Sequence, residues 1–217
     1  MTAAVGTDGV GTDAGRTALD TFLGLVAEKG FAAVTLRDVA GAAGLGLAEL
    51  YRLYPDKTAL VAAFVARIDA EVLAGTPSQG DPEETARDRL FDTMMRRYDS
   101  LRPHKAALRA IRTATTRDPL LALALGPSLR RSMAAMLEAA GVPSEGLPGA
   151  LRQNGLLAIH YAVSRVFDRD ETGDLSKTMA ALDGRLKTAE KWSQLVDKYV
   201  KRPDPKRPAP GAESPAA

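Results

Sequence analysis

The chain contains no cysteine among its 217 residues. This absence excludes disulfide bonds, thiolate zinc sites, cysteine nucleophiles and cysteine-ligated clusters. Histidine is nearly as scarce, since only His104 and His160 could serve as metal ligands or as bases near neutral pH. The sequence also shows no nucleophile–base pattern, phosphate-binding loop or carboxylate pair. We therefore expect no metal site, no cofactor and no enzyme activity.

Aromatic residues make up only 5% of the chain, and runs of β-branched residues are almost absent. Because the abundant Ala and Leu favour helices, the composition predicts an all-α fold. No apolar stretch approaches the roughly 18 residues that a membrane-spanning helix needs. The N-terminus is rich in Gly, Thr and Asp and lacks the apolar core of a signal peptide. We expect a cytoplasmic protein.

Positive and negative side chains nearly balance, and the formal net charge is only +2. The positive charge is concentrated in residues 85–140, which hold eleven Lys and Arg against five Asp and Glu, a net of +6. One interpretation is an ordinary solvated helical surface. The alternative is a patch for an acidic ligand, an anionic lipid or an acidic partner.

The most structured pattern lies between Thr35 and Lys57. Thr35 and Asp38 have the spacing of a capping box, so a helix should begin at Leu36. Its apolar positions recur at helical spacing, and Gly44 supplies a left-handed stop. A second helix is predicted from about Leu47 to Leu53, and Asp56 should cap a third. This is the layout of a helix-turn-helix motif, whose second helix normally enters the DNA major groove.

Helical periodicity divides the rest of the chain. Residues 1–15 and the Pro-rich tail 201–217 are predicted to be disordered, with a three-helix domain at 16–60 and a larger helical domain at 61–200. The fifth helix should start at Asp81-Pro82 with Glu83 and Glu84 in its first turn. Gly126-Pro127 should break or kink the seventh helix, and the eighth helix should begin at about Ala150.

The N-terminal module resembles the TetR family over roughly residues 16–65. The matching residues keep register through the cap, the turn and the aromatic positions: Ala27, Glu28, Lys29, Gly30, Phe31, Thr35, Leu36, Arg37, Asp38, Val39, Ala40, Ala43, Gly44, Leu45, Leu50, Tyr51, Tyr54, Pro55, Lys57 and Leu60. This resemblance implies a TetR-like fold and a homodimeric transcriptional regulator. Such regulators bind a pseudo-palindromic operator and release it when a small, often apolar, ligand enters the C-terminal domain.

The resemblance also implies where DNA would be contacted. Thr35, Tyr51 and Lys57 should face phosphates, and residues 46–52 should face base edges. The sequence departs from the family pattern at Gly46, usually Ser, at Leu47, usually polar, and at Glu49, usually Thr or Ser. The full predicted DNA-binding set is Thr35, Arg37, Gly46, Leu47, Glu49, Tyr51, Arg52, Tyr54 and Lys57.

The departures leave two hypotheses open for the helix-turn-helix. Residues 16–60 carry five positive and five negative side chains, so the module has few cations to neutralise phosphates, and Glu49 brings a negative charge towards them. Under one hypothesis the motif still binds operator DNA, with Arg52 able to reach a guanine. Under the other it is kept only for folding.

The C-terminal half carries a second resemblance. The segments at 87–111 and 173–186 are similar to the coenzyme Q biosynthesis accessory proteins, which share the TetR fold. That resemblance implies binding of an isoprenoid lipid, contact with a membrane surface and no DNA binding. It is the alternative to the regulator hypothesis.

A ligand pocket is predicted between helices five to eight, where methionines alternate with Leu and Ala. Methionine suits either an ordinary core or an adaptable apolar pocket. His160 is likewise either a core histidine or a ligand contact. The predicted lining residues are Met94, Tyr98, Leu108, Ile111, Met133, Met136, Leu157, His160 and Tyr161.

The ninth helix carries an apolar stripe that steps by three and four residues from Leu175 past Trp192. Three interpretations account for the stripe. The helix pairs with helix eight in a symmetric homodimer, packs within one subunit, or lies on a membrane surface. Asp183, Glu190 and Asp197 oppose the membrane interpretation on anionic lipid.

Overall fold

A computed structural model of the chain describes residues 13–77 and 83–200, with side chains described as far as Lys191. Within these residues the regular secondary structure is entirely helical, which confirms the all-α prediction. A 3-10 turn at Arg102–His104 leads into the sixth helix. The α-helices, in chain order, are α1 (Asp13–Lys29), α2 (Leu36–Ala43), α3 (Leu47–Leu53), α4 (Lys57–Ala74), α5 (Ala86–Leu101), α6 (Lys105–Arg117), α7 (Pro119–Ala139), α8 (Gly146–Phe167) and α9 (Ser176–Val200).

One continuous apolar core runs through the described residues. In α1, Phe22 and Val26 are completely buried, and in α4 the same is true of Leu60 and Ile68. Because α4 packs against α1 at one end and against α5 and α7 at the other, its buried side joins the first three helices to the rest. A helix of 18 residues spans about 27 Å, which is long enough for both contacts.

Several helix boundaries differ from the predicted ones. α1 begins at Asp13 rather than Arg16, so residues 13–15 of the segment expected to be disordered are helical. The remainder of that segment and the tail 201–217 lie outside the described residues. α8 begins at Gly146 instead of Ala150. Pro148 is tolerated in its first turn, because a proline there removes only a backbone N–H that would have no partner within the helix.

The predicted start of α5 is wrong. Asp81 and Pro82 lie outside the described residues, and Glu83 and Glu84 precede the helix instead of forming its first turn. Thr85 is the N-cap, and its hydroxyl oxygen accepts a hydrogen bond from the Asp88 backbone N–H at 3.2 Å. The side chains of Thr85 and Asp88 also bond to each other at 2.6 Å, which strengthens this cap.

Helix α7 continues through Pro127 and is not broken at Gly126-Pro127 as predicted. Proline removes one backbone donor from the helix interior. The buried side of α7, with Leu125, Met133 and Met136, packs on α4, α6 and α8 and holds the helix across that gap.

Lys and Arg side chains of α5 and α6 bind backbone carbonyls at the ends of other helices. Arg96 donates to the Gly75 carbonyl after α4 at 2.7 Å, and Arg89 donates to the Ala140 carbonyl after α7 at 2.9 Å. Arg109 donates to the Asp168 carbonyl after α8 at 2.7 Å. The last carbonyls of a helix have no partner within it and carry partial negative charge, so these cations stabilise three helix ends.

A buried polar cluster joins α4, α5 and α7. The Arg97 guanidinium, with its side chain only 2% exposed, forms an ion pair with Asp69, and the Ser132 hydroxyl donates to the same carboxylate oxygen at 2.6 Å. No helix in the described residues is both long enough and apolar enough to cross a bilayer.

We predict that Asp69→Ala lowers the free energy of unfolding by about 3–5 kcal/mol, because it leaves the Arg97 charge buried without a partner. Urea denaturation followed by circular dichroism measures the loss. Asp20→Ala is the matched control, since Asp20 pairs with Arg67 while remaining 62% exposed and should cost less than about 1 kcal/mol. Equal losses for the two variants would contradict the assigned role of Asp69.

Candidate nucleic-acid interface

The helix-turn-helix forms through local hydrogen bonds that the sequence predicts. The Thr35 hydroxyl accepts from the Asp38 N–H at 3.1 Å, and the Asp38 carboxylate accepts from the Thr35 N–H at 2.8 Å. Gly44 ends α2 with φ of +68°, a left-handed conformation that suits glycine. Leu45 then donates from its N–H to the Ala40 carbonyl at 2.9 Å and closes the turn before α3.

One face of this motif is open to solvent and carries most of the predicted DNA-binding side chains. Leu47 is 42% exposed and Tyr51 60% exposed on α3, although Leu50 between them is completely buried. Arg37 and Arg52 are exposed, and neither forms an ion pair with any described residue. The structure thus brings Arg37, Leu47 and Tyr51 to the walls of one shallow groove between α2 and α3.

Two further side chains line this groove: Leu36, which the sequence did not single out as a contact, and Ala48, which lies within the segment 46–52 expected to face base edges. Leu36 lies half-buried at the edge of the groove, and Ala48 is exposed beside Leu47. The position of Leu36 next to Arg37 in the sequence is the only signal that could have identified it. The groove is therefore largely apolar.

The prediction that Tyr54 contacts DNA is wrong. Tyr54 is 3% exposed, and its hydroxyl donates to the Gly15 carbonyl of α1 at 3.2 Å. Burial raises the pKa of this hydroxyl. Tyr54 belongs to the core that attaches the end of α3 to the start of α1.

Lys57 also lies away from the exposed face. Its half-buried ammonium donates to the Phe31 and Val34 carbonyls, both at 2.8 Å, and lies 4.5 Å from the centre of the Phe31 ring. Burial lowers the pKa of this ammonium. The predicted phosphate contact therefore does not match the placement of Lys57, which ties the loop before α2 to the start of α4.

The remaining predicted residues differ in what they could offer a phosphate. Thr35 is exposed, but its hydroxyl is engaged by Asp38, and those hydrogen bonds lower the pKa of the Asp38 carboxyl. Gly46 is the N-cap of α3 and provides no side-chain hydrogen bond. Glu49 is half-buried in the first turn of α3, so the helix places a negative charge beside the groove.

Structural roles account for many of the charges that make the module neutral. Asp20 pairs with Arg67, and Asp56 caps α4 by accepting from the Ala59 N–H at 2.7 Å. Asp38 caps α2, as described above. The exposed cations Arg37 and Arg52 therefore stand near fewer free carboxylates than the charge count of the sequence indicates.

The predicted ligand-binding residues lie mainly in the core of the C-terminal helices. Met94, Tyr98, Met133 and Met136 are completely buried, Ile111 is buried, and Leu108 and Leu157 are half-buried against them. Tyr161 is a correction, because it is 43% exposed on the outer side of α8. Adjacent positions on an α-helix point about 100° apart, so the inward His160 directs Tyr161 outward.

His160 has a partner within the core. Its Nδ1 atom lies 3.2 Å from the Tyr98 hydroxyl, and the two rings are stacked. Burial, together with the nearby guanidinium groups of Arg97 and Arg112, lowers the pKa of His160 to about 3. The imidazole is therefore neutral at neutral pH. A direct role in ligand binding stays a prediction.

The basic segment at 85–140 is largely engaged in intramolecular contacts. Arg87 pairs with Asp183, Arg112 pairs with Asp168, and Lys105 donates to the Asp170 carbonyl. With Arg89, Arg96, Arg97 and Arg109, seven of the eleven cations have partners in the described chain. This arrangement favours neither an ordinary solvated surface nor a patch for an acidic partner, because most of the excess positive charge forms contacts that stabilise the fold. No cluster of potential metal ligands occurs among the described residues.

These helices define a class of protein, the all-α helix-turn-helix proteins with a larger helical C-terminal domain. Residues 19–64 match the family model described as bacterial regulatory proteins, tetR family. The match covers α2, α3 and the greater part of α1. It confirms the resemblance of this segment to the TetR helix-turn-helix.

Solved structures extend the likeness to the fold of most of the chain. A TetR transcriptional regulator from Nitrosomonas europaea is 22% identical, covers 81% of this chain and 97% of its own, and gives a TM-score of 0.65. One from Rhodococcus sp. RHA1 is 24% identical, with coverage of 80% and 95% and a TM-score of 0.58. The fold is thus the TetR fold.

No curated protein sequence matches this chain. The matches described above are to TetR regulators and not to coenzyme Q biosynthesis proteins, so the second resemblance gains no support from them.

We predict that acidification destabilises the protein partly through His160. Unfolding returns the imidazole to a pKa near 6.5, so below that pH the unfolded state binds a proton that the folded state excludes until about pH 3. The contribution of His160 to the free energy of unfolding should therefore be fully present above pH 6.5. Below that pH it should decrease as the pH falls, by up to about 1.4 kcal/mol per pH unit.

Urea denaturation of His160→Gln between pH 7 and 4 checks this prediction. The variant should show a shallower dependence of unfolding free energy on pH than the parent protein, whatever its absolute stability. His104→Gln is the control, since that imidazole is only half-buried and its pKa is lowered less strongly. Parallel curves for the parent and His160→Gln would contradict the prediction.

Proposed function

We propose that this protein is a TetR-family transcriptional regulator that binds operator DNA as a homodimer and is released by a small apolar ligand. The single observation that carries the proposal is the exposed face of α2 and α3, where Arg37, Leu47, Tyr51 and Arg52 stand free on a family-matched helix-turn-helix. A gel shift with the DNA upstream of its own gene at low salt tests the proposal, which fails if no fragment shifts.

In the proposed complex the N-terminal end of α3 enters the major groove. Leu47 and Ala48 present apolar surface, so they would contact thymine methyl groups, while Arg52 would bond a guanine edge. Arg37 and Tyr51 flank the groove at positions suited to phosphates. Few cations take part, so affinity should depend less steeply on salt than it does for strongly basic DNA-binding domains.

The proposed dimer uses the outer faces of α8 and α9. Leu147, Leu151 and Tyr161 are 77%, 66% and 43% exposed on α8, and the spacing of Leu147, Leu151, Ala158 and Tyr161 places them along one side of the helix. Met179, 41% exposed, extends the apolar surface onto α9. A symmetric pair of such faces buries itself in a two-fold dimer without any other partner.

The other side of α9 packs within the subunit. Leu175, Leu182 and Leu186 are buried, and α9 contacts α5 and α8. The intramolecular interpretation is therefore correct for these three residues, whereas Trp192 lies beyond the described side chains. Surface contact with a membrane stays a prediction without a structural observation in its favour.

The proposed ligand site lies among α5 to α8, around Met94, Met133, Met136 and Tyr98. These side chains are completely buried, so we expect a ligand to enter as the unbranched methionines repack. The alternative, a lipid-binding accessory protein of ubiquinone biosynthesis with a degenerate motif, rests on Gly46, Leu47, Glu49 and the 173–186 resemblance alone.

We predict that Glu49→Lys tightens DNA binding by about threefold to tenfold at low salt, since each phosphate contact contributes to the salt-dependent term. Fluorescence anisotropy with the shifted fragment, repeated over a salt series, gives both the affinity and its slope. Glu171→Lys makes the same charge change on the exposed loop before α9 and should have little effect. If both substitutions act equally, Glu49 does not lie near phosphates.

We predict that Leu151→Glu converts the dimer to a monomer, because it places two charges in an apolar interface. Sedimentation velocity measures the shift in mass. Leu73→Glu is the matched control, since Leu73 is 44% exposed on α4, away from the proposed interface, and should leave the mass unchanged. A Leu151→Glu protein that stays dimeric would exclude the α8 face.

A further inference from the structure

A cavity of about 790 Å³ lies between the first three helices and the C-terminal domain. Its walls come from the end of α1, the loop that follows it and the adjacent face of α6. The volume falls within the range of small-molecule sites. None of the predicted ligand-binding residues lines it, so it is separate from the site proposed in the core.

The cavity walls are mostly apolar and built from small side chains. Ala32 and Ala33 form one side, and Ala106, Ala110 and Ala114 form the other, at the four-residue spacing that keeps them on one face of α6. Ala106 is exposed to the cavity. Side chains of this size leave room for an aliphatic chain or a flat ring.

Positive charge surrounds this apolar surface. Lys29 and Arg117 are exposed at the cavity, and neither forms an ion pair with a described residue. Arg109 also lines it, with one guanidinium nitrogen on the Asp168 carbonyl. The acidic group at the cavity is Asp118, whose carboxylate accepts from the Leu120 and Leu121 N–H groups as the cap of α7.

The environment of Lys57 gives the most direct indication of a ligand. Its half-buried ammonium lines the cavity and holds two backbone carbonyls and the face of Phe31, but no carboxylate among the described residues pairs with it. One of its three N–H donors is left without a described partner. A half-buried cation that lacks a carboxylate partner beside an apolar cavity favours an anion with an apolar body.

We propose that this cavity binds an amphipathic carboxylate, with its apolar body against the alanines of α6 and its carboxylate among Lys29, Lys57 and Arg117. The occupied cavity lies on the contact between α1 and α6 and beside the loop that leads into α2. Binding therefore shifts the placement of α2 and α3 relative to the C-terminal domain. This coupling to DNA rests on the proposed function, whereas the binding itself does not.

Calorimetric titration of the full chain without DNA tests the binding, with decanoate below its micelle concentration as the probe. Decanol and decylammonium provide the same alkyl chain with a neutral and a positive head. Decanoate should bind at least about tenfold more tightly than either, since a hydrogen bond to a charged group contributes that much. Equal affinity for all three would overturn the proposal.

Two variants place the binding in this cavity. Ala106→Phe fills the space from an exposed position and should abolish decanoate binding, while Ala70→Phe, at an exposed alanine of α4 outside the cavity, should leave it intact. The double variant Lys29→Met with Arg117→Met should weaken decanoate about tenfold and leave decanol unchanged. Unaltered decanoate binding by a folded Ala106→Phe protein overturns the assignment of the site.

Gel shifts separate this inference from the proposed function. Decanoate should release the DNA fragment from the parent protein and not from Ala106→Phe. A protein that binds decanoate but no DNA contradicts the regulator and leaves the binding site standing. A protein that binds DNA but no decanoate contradicts the site alone.

Discussion

The fold depends on cations that bind the carbonyl ends of helices. Arg96, Arg89 and Arg109 each donate to a carbonyl after a different helix, and these carbonyls would otherwise lack partners where the chain turns. The side chains reach across the bundle from α5 and α6, so they position α4, α7 and α8 as well as stabilising their ends. The positive excess of residues 85–140 is therefore mainly an architectural feature, and the charge that remains for a partner is much smaller than the sequence indicates.

Two side chains that were predicted to contact DNA instead hold the helix-turn-helix against neighbouring parts of the chain. Tyr54 connects the end of α3 to Gly15, and Lys57 connects the start of α4 to the loop before α2. The Tyr54 contact fixes the end of α3 relative to α1, and the Lys57 contact fixes the loop that leads into α2 relative to α4. Because Tyr54 and Lys57 hold the motif in place, it keeps a defined exposed face even though its net charge is zero.

The parts of the structure that depend on neighbours in the sequence could be predicted, and the parts that depend on distant partners could not. The cap by Thr35 and Asp38 and the left-handed Gly44 involve residues within a few positions of each other, so local pattern determines them. The roles of Tyr54 and Lys57 depend on carbonyls 39 and up to 26 residues away. Once His160 is known to face inward, helical geometry places Tyr161 outward. The sequence alone does not say which of these two residues faces the core.

The cluster of Asp69, Arg97 and Ser132 has a consequence for how this protein can change over evolution. One carboxylate serves a guanidinium and a hydroxyl from two other helices, so replacing Asp69 alone removes this partner from both Arg97 and Ser132. Homologues should therefore keep the ion pair at positions 69 and 97 or replace both residues together, with Ser132 retained where the carboxylate is. The three positions would then covary in an alignment, as a single inherited unit that spans α4, α5 and α7.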